Sequence, residues 1–102
     1  MADPNSYRIN KKTLDEAQVI IDSGIFGDIS KMINYCMVFY LDHIEKYGIK
    51  SIKHIPRDDT AAKVCRLNET VLQRLADTGF VTKKEVPEYA LRFYLDWRSS
   101  GD

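Results

Sequence analysis

Residues 63–96 have the sequence KVCRLNETVLQRLADTGFVTKKEVPEYALRFYLD, and this stretch decides the fold. Side chains on a β-strand alternate between its two faces. Cys65 and Leu67 share one face at this spacing, whereas Val64 and Arg66 share the other. The beginning of the stretch therefore predicts a short strand with one apolar face that can be buried.

Two helices are predicted to follow this strand. Asn68 stands where an N-cap belongs, because its side chain can accept from the first free backbone amides of a helix. Gly79 ends that helix, since glycine most easily takes the left-handed conformation of a C-terminal cap. Thr82 and Glu85 form a capping-box pattern that opens the second helix. The apolar face of this second helix is predicted to contain Val86, Ala90, Phe93 and Trp97.

A second copy of the same pattern occupies the first half of the chain. The two copies share short matching peptides in the same order, at separations that fall from 58 to 55 to 54 positions. This decrease fits about one extra helical turn in the first copy. A tandem duplication accounts for the matches. They are RIN at 8–10 with RLN at 66–68, DSG at 22–24 with DTG at 77–79, and FYLD at 39–42 with FYLD at 93–96.

Composition indicates an ordinary globular chain that forms one domain over residues 1–102. The hydrophobic fraction is 44% and the charged fraction is 29%. Either copy alone, at roughly 40 residues, would bury too little apolar surface to be stable, so the two copies are expected to fold as one unit. The net charge of zero argues against a protein that is held to nucleic acid by bulk charge alone.

The sequence contains no pattern that is typical of an enzyme or of a cofactor site. His43 and His54 have no carboxylate or cysteine at ligand spacing, and no glycine-rich phosphate loop can be assembled. Cys36 and Cys65 are predicted to be small buried hydrophobes in a reducing interior. The longest apolar run, residues 36–41, is far too short to span a membrane. We therefore expect a cytoplasmic protein with no catalytic residues, metal, cofactor, small-molecule substrate or membrane partner.

The lone strand in each copy needs a partner for its backbone N–H and C=O groups, and the other copy supplies it. The resulting unit resembles the ribbon-helix-helix fold of the MetJ, Arc and CopG class of DNA-binding regulators. The likeness is most specific in RLNETVLQRLADTG, followed by TKKEV, of the second copy. It implies a mostly helical protein with one two-stranded antiparallel ribbon. Two chains form this fold in that family, whereas here one chain would form an intramolecular pseudo-dimer, similar to the tandem regulators of archaeal viruses. Repeat 1 would occupy residues 5–47, a connector 48–61, and repeat 2 residues 62–98.

The resemblance implies that one face of the ribbon packs on the helices and that the other enters the major groove of double-stranded DNA. The residues of the inner face would be Tyr7, Ile9, Cys65 and Leu67. An internal pseudo-twofold would relate Arg8 to Arg66, and each would read guanine with two hydrogen bonds. The two halves differ in sequence, so the bound site would be only approximately palindromic. A solvated strand face is the alternative interpretation. The residues that would contact bases are Ser6, Arg8, Val64 and Arg66.

The resemblance also implies phosphate contacts at the start of each second helix, where backbone amides and the helix dipole attract anions. Thr82 fits this position in the second copy. In the first copy either Asp28 or Ser30 caps the helix, and Asp28 would repel a phosphate. Either Ser30 and Lys31 replace that contact, or this half grips DNA less firmly. The predicted phosphate-contacting residues are Lys11, Lys12, Ser30, Lys31, Lys63, Thr82, Lys83 and Lys84.

Two functions stay open at the level of the sequence. The first is a DNA-associated, sequence-specific transcription regulator that forms homo-oligomers through its helix faces. The second is a protein-interaction module, antitoxin-like, that uses the same fold with little DNA binding. The salt dependence of DNA binding distinguishes the two functions, because a protein that neutralises phosphates loses affinity for DNA steeply as the salt concentration rises.

Overall fold

The computed structural model describes residues 5–48, 59–78 and 85–100. Within these ranges the chain forms four helices and one two-stranded antiparallel sheet, which confirms the mostly helical fold with a single antiparallel ribbon. In chain order the elements are β1 (Asn5–Asn10), α1 (Lys11–Asp22), α2 (Ile29–Tyr47), β2 (Thr60–Cys65), α3 (Glu69–Asp77) and α4 (Val86–Ser99).

The sheet joins the two parts of the chain in which strands were predicted, although the second strand is shifted. β1 runs antiparallel to β2 from Asn5 opposite Cys65 onwards. β2 begins at Thr60, inside the predicted connector, and it ends at Cys65, so Arg66 follows the strand instead of belonging to it. Residues 60–62 are Thr-Ala-Ala, which show no apolar alternation. They pair through their backbone groups, which any non-proline residue supplies.

The inner face of the ribbon packs on the helices. Ile9 is fully buried, and β1 contacts both α1 and α4 while β2 contacts α2. The alternation in the sequence predicted this face correctly, because the period of two along a strand records which side chains leave water. The buried residues of the ribbon and of the segment that follows it are Tyr7, Ile9, Cys65 and Leu67.

The centre of the fold is the contact between α2 and α4, the most extensive contact between any two of these helices. α1 packs against α4 and α2, and α3 packs against α2. Cys36 and Cys65 are free and buried, as predicted, and burial raises the pKa of both thiols, that of Cys36 to about 12. Among the described residues, no helix combines the length and apolarity that a bilayer span requires.

The first residues of α1 and α3 are held by side chains from other helices. Asn10 and Asn68 are the N-cap residues, but neither side chain caps its helix, so the capping bond predicted for Asn68 is wrong. Their backbone N–H groups are bonded instead. The Asn10 N–H donates to Glu88 Oε1 at 2.5 Å, and the Asn68 N–H donates to Asn34 Oδ1 at 2.8 Å. In a capping box this bond comes from within the same helix, whereas here α4 and α2 provide it.

The ends of α1 and α3 carry the same two kinds of side-chain hydrogen bond. In each helix a Gln amide donates to an Asp carboxylate four residues later, and a hydroxyl after the helix donates to a carbonyl three residues earlier. All equivalent residues lie 55 positions apart, which is the separation of DSG from DTG. The bonds are Gln18–Asp22 with Gln73–Asp77, and Ser23–Ile20 with Thr78–Leu75.

An ion pair connects α1 to α4. Arg92 donates through Nη1 and Nη2 to the two carboxylate oxygens of Glu16, at 2.6 and 2.9 Å, and it also contacts Asp96. This two-bond geometry is the strongest that an arginine and a carboxylate can form. The hydrogen bonds from Arg92 lower the pKa of Glu16.

Glu16→Gln is expected to remove a part of the stability that depends on pH. The pKa of Glu16 is lower in the folded than in the unfolded protein. The Arg92 pair therefore stabilises the fold fully above the unfolded pKa, and this stabilisation is lost as the pH falls through the folded pKa. Because both side chains are partly exposed, we expect a loss below about 1 kcal/mol near pH 7 and a smaller loss at an acidic pH below the unfolded pKa. Denaturant unfolding at the two pH values measures it. Asp15→Asn, an exposed carboxylate on the same helix, is the control, and a difference for Glu16→Gln that is equally large in acid contradicts the prediction.

Candidate nucleic-acid interface

Three of the residues that were predicted to contact bases lie on the outer face of the ribbon, and the fourth, Arg66, directly follows β2. Ser6, Arg8, Val64 and Arg66 are all exposed. Ser6 lies opposite Val64, whose side chain is 63% exposed, and Arg8 lies opposite Ala62. The first three belong to the paired strands, so the backbone of the ribbon fixes their spacing. This face therefore presents Arg8 beside two small or apolar side chains, and Arg66 follows Val64 by two positions.

Arg8 is held across the ribbon by its own side chain. Its Nε donates to Thr60 Oγ1 at 3.0 Å, and its Nη2 donates to the Thr60 carbonyl at 3.1 Å. Because Ala62 lies directly opposite Arg8, Thr60 is its diagonal neighbour, within reach of a long side chain. Thr60 fixes the orientation of this guanidinium on the outer face.

Arg66 is held through its main chain instead. It lies in the segment between β2 and α3, where Asn34 Nδ2 donates to the Arg66 carbonyl at 2.9 Å. The same carboxamide accepts from the Asn68 N–H, and we call these two contacts the Asn34 bridge. Within the described ranges, the Arg66 guanidinium takes part in no hydrogen bond or ion pair. The two arginines are thus presented by different means.

The start of α2 is occupied by its own cap. Of the two candidates, Asp28 is the N-cap, and its Oδ1 accepts from the Lys31 N–H at 2.9 Å. A phosphate near this helix start would meet the negative charge of Asp28, as the sequence suggested. Ser30 is half-buried and Lys31 is exposed, with its side chain lying over Gly27.

The other residues that were predicted to contact phosphates fall on different sides of the fold. Lys11 and Lys12 are exposed at the start of α1, and Lys11 Nζ lies 3.5 Å from a carboxylate oxygen of Asp59. Lys63 is half-buried and lies opposite Tyr7, so it belongs to the inner and not the outer face of the ribbon. Thr82, Lys83 and Lys84 lie outside the described residues.

Sequence reasoning missed the residues that hold the two arginines. Thr60 was assigned to the connector, and no local pattern marks it as a partner of Arg8. Asn34 does carry a signal, because it is a strongly polar residue in the otherwise apolar stretch 32–41 of α2. Buried or half-buried polar groups of this kind are usually hydrogen-bonded, so its presence there is a signal that the side chain has a hydrogen-bond partner.

The described residues show no sign of a metal centre. No group of three or more His, Cys, Asp and Glu side chains within these ranges is placed to hold a metal ion. Comparison of the chain with protein-family models, with curated proteins and with solved structures found no match. A proposal for the function therefore has to be based on the geometry of the ribbon and of the two arginines.

Proposed function

We propose that the protein is a sequence-specific regulator that binds double-stranded DNA with the outer face of its ribbon. The observation that carries the proposal is a two-stranded antiparallel ribbon with a buried inner face, with Arg8 exposed on its outer face and Arg66 exposed directly after β2. The major groove is wide enough to admit such a ribbon. An arginine there reads guanine through O6 and N7, and Val64 is suited to contact a thymine methyl group.

The pseudo-dimer is part of this proposal, and residues that meet their own counterparts support it. Ser6 lies opposite Val64, which is 58 positions later, as RLN is from RIN. Phe39 contacts Phe93, its counterpart 54 positions later, with 5.5 Å between the ring centroids. A residue that contacts its own equivalent lies on a twofold axis. One axis through both pairs would relate repeat 1 to repeat 2 and Arg8 to Arg66.

Reciprocal contacts support the same axis. In a twofold arrangement, every contact between two different residues occurs a second time between their equivalents. Several contacts in the fold recur in this way, at the separations of 54 and 58 positions that the matching peptides have. They are Tyr40–Phe93 with Tyr94–Phe39, His43–Phe93 with Trp97–Phe39, and Asn68–Asn34 with Asn10–Glu88.

A homo-oligomer through the helix faces is the partner that exposed apolar side chains support. Tyr35 and Val38 on α2 and Trp97 on α4 are each at least 40% exposed, and Trp97 contacts Phe39 within one aromatic cluster. The same surface favours the alternative function, a protein-interaction module with little DNA binding. Sedimentation of the protein alone and with duplex DNA tests both ideas.

Binding to duplex DNA at two salt concentrations tests the proposed function. A regulator that neutralises several phosphates is expected to lose affinity steeply between about 50 and about 200 mM salt. Selection from a random pool of duplexes should then return one recurring site. If the protein retains DNA weakly at both salt concentrations and enriches no site, the protein-interaction module is the better explanation.

Asp28→Ser is expected to tighten DNA binding about threefold at low salt. Serine can still accept from the Lys31 amide as an N-cap, but it removes the negative charge from the start of α2. The dissociation constant is measured by fluorescence anisotropy, and the salt dependence should become steeper. Asp22→Ser removes the same charge from the other end of a helix and is expected to leave the affinity nearly unchanged. An unchanged or weaker affinity for Asp28→Ser contradicts the prediction.

A further inference from the structure

We infer that Asn34, which lies on α2 behind the ribbon, is the positioning residue for base reading by Arg66. The inference rests on the proposed function and adds a residue that would not touch DNA itself. Asn34 is half-buried, and its carboxamide uses both ends. Its Nδ2 donates to the Arg66 carbonyl at 2.9 Å and to the Ser30 carbonyl at 2.8 Å, and its Oδ1 accepts from the Asn68 N–H.

The Asn34 bridge acts where the strand pairing stops. β2 ends at Cys65, so the ladder between the described strands does not hold Arg66. The bridge bonds the main chain on either side of Leu67, whose side chain is buried in the core. The two hydrogen bonds from the Asn34 carboxamide, together with the buried Leu67 side chain between them, fix the main chain of residues 66–68. The Cα–Cβ direction of Arg66 is fixed with it, which a two-bond contact to a base edge requires.

The other half of the fold positions its arginine differently. Glu88 lies 54 positions after Asn34 and accepts from the Asn10 N–H, but a carboxylate has no N–H with which to hold a carbonyl. Its Oε2 is buried without a hydrogen-bond partner among the described residues. Arg8 is oriented through its side chain by Thr60. Asn34 therefore acts on Arg66 and not on Arg8, and its loss should affect one base position of the site.

Asn34→Asp distinguishes the two contacts of the Asn34 bridge, which we call its two arms. Aspartate keeps an oxygen that accepts from the Asn68 N–H, so the start of α3 stays in place. It replaces the Nδ2 donor with a second oxygen, which faces the Arg66 carbonyl and repels it. Asn34→Ala removes both arms. Neither substitution changes a residue on the outer face of the ribbon, so both leave the proposed contact surface chemically intact.

Selection of sites from a random duplex pool tests the inference. The base position that loses its preference in Arg66→Ala is the position that Arg66 reads. Asn34→Asp is expected to lower the preference at that same position roughly tenfold, the size of one lost two-bond contact, and to keep the others. Ser23→Ala removes a side-chain bond to the backbone at the end of α1 and should leave every position unchanged.

A uniform loss at all positions, as a merely structural role would produce, overturns the inference, and so does an unchanged preference at the Arg66 position. Hydrogen exchange of the Asn68 amide, measured without DNA, is the second readout. Its protection should persist in Asn34→Asp and disappear in Asn34→Ala, and protection in both variants also overturns the inference. A wild-type protein that selects no site refutes the proposed function first, and the inference fails with it. A wild type that selects a site while Asn34→Asp keeps its full preference refutes the inference alone.

Discussion

Arg66→Ala is expected to weaken binding to the selected duplex by roughly tenfold or more and to relax specificity at one base position. Arg66 is exposed, its main chain is fixed by the Asn34 bridge, and its guanidinium has no partner among the described residues. No bond within the described fold therefore has to break before it contacts a guanine. Anisotropy titrations at one salt concentration, with the selected duplex and with a duplex altered at that position, measure the effect.

Two further variants separate base reading from charge. Arg66→Lys keeps the positive charge but loses the planar fork, so it should lose discrimination and keep nearly the same salt dependence. Arg98→Ala removes an exposed arginine near the end of α4 and is expected to change neither. If Arg66→Ala weakens every duplex equally, Arg66 contacts phosphate and not a base.

Ile9→Ala is expected to lower the free energy of unfolding by about 2–5 kcal/mol. Ile9 is fully buried on the inner face of β1, where the ribbon closes over the helices. Truncation there loses apolar burial and leaves a cavity, and that loss is a large part of the roughly 5–15 kcal/mol that stabilises a domain. Denaturant unfolding monitored by circular dichroism measures the loss.

Two control variants accompany this prediction. One makes a smaller change at the same buried position, and the other truncates an exposed apolar side chain. Ile9→Val removes one methyl group from the same place and should cost about 0.5–1.5 kcal/mol. Val19→Ala truncates a side chain that is 70% exposed and should change stability by less than about 0.5 kcal/mol. A loss for Ile9→Ala no larger than that for Val19→Ala would show that the ribbon does not close the core.

Strand alternation together with the repeated peptides was enough to predict the two-stranded ribbon and its buried face. Tyr7, Ile9 and Cys65 are buried where the alternation placed them, because alternation along a strand follows burial directly. Helical spacing was less informative at Trp97, which was predicted to lie on an apolar face and is 50% exposed. Spacing shows which residues share a face of a helix, but it does not show how much of that face another element covers.

The register of the ribbon and the long-range contacts of single side chains could not be predicted from the sequence. The strand register that begins at Thr60 depends on backbone pairing with β1, and the bridge from Asn34 joins residues that lie 32 and 34 positions apart. No local propensity encodes such a pairing. The only sequence signal for Asn34 is that it is a polar residue in an apolar stretch, and no sequence signal marks Thr60 as the partner of Arg8.

The pairing of β1 with β2 within one polypeptide has a consequence for the protein at low concentration. A ribbon that is assembled from two separate subunits dissociates on dilution, because its stability depends on the concentration of the subunits. Here that encounter is intramolecular, so a single copy of the protein carries a complete ribbon. The two helix starts that follow the ribbon strands can also differ within one chain: Glu88 accepts from the Asn10 N–H, whereas Asn34 accepts from the Asn68 N–H.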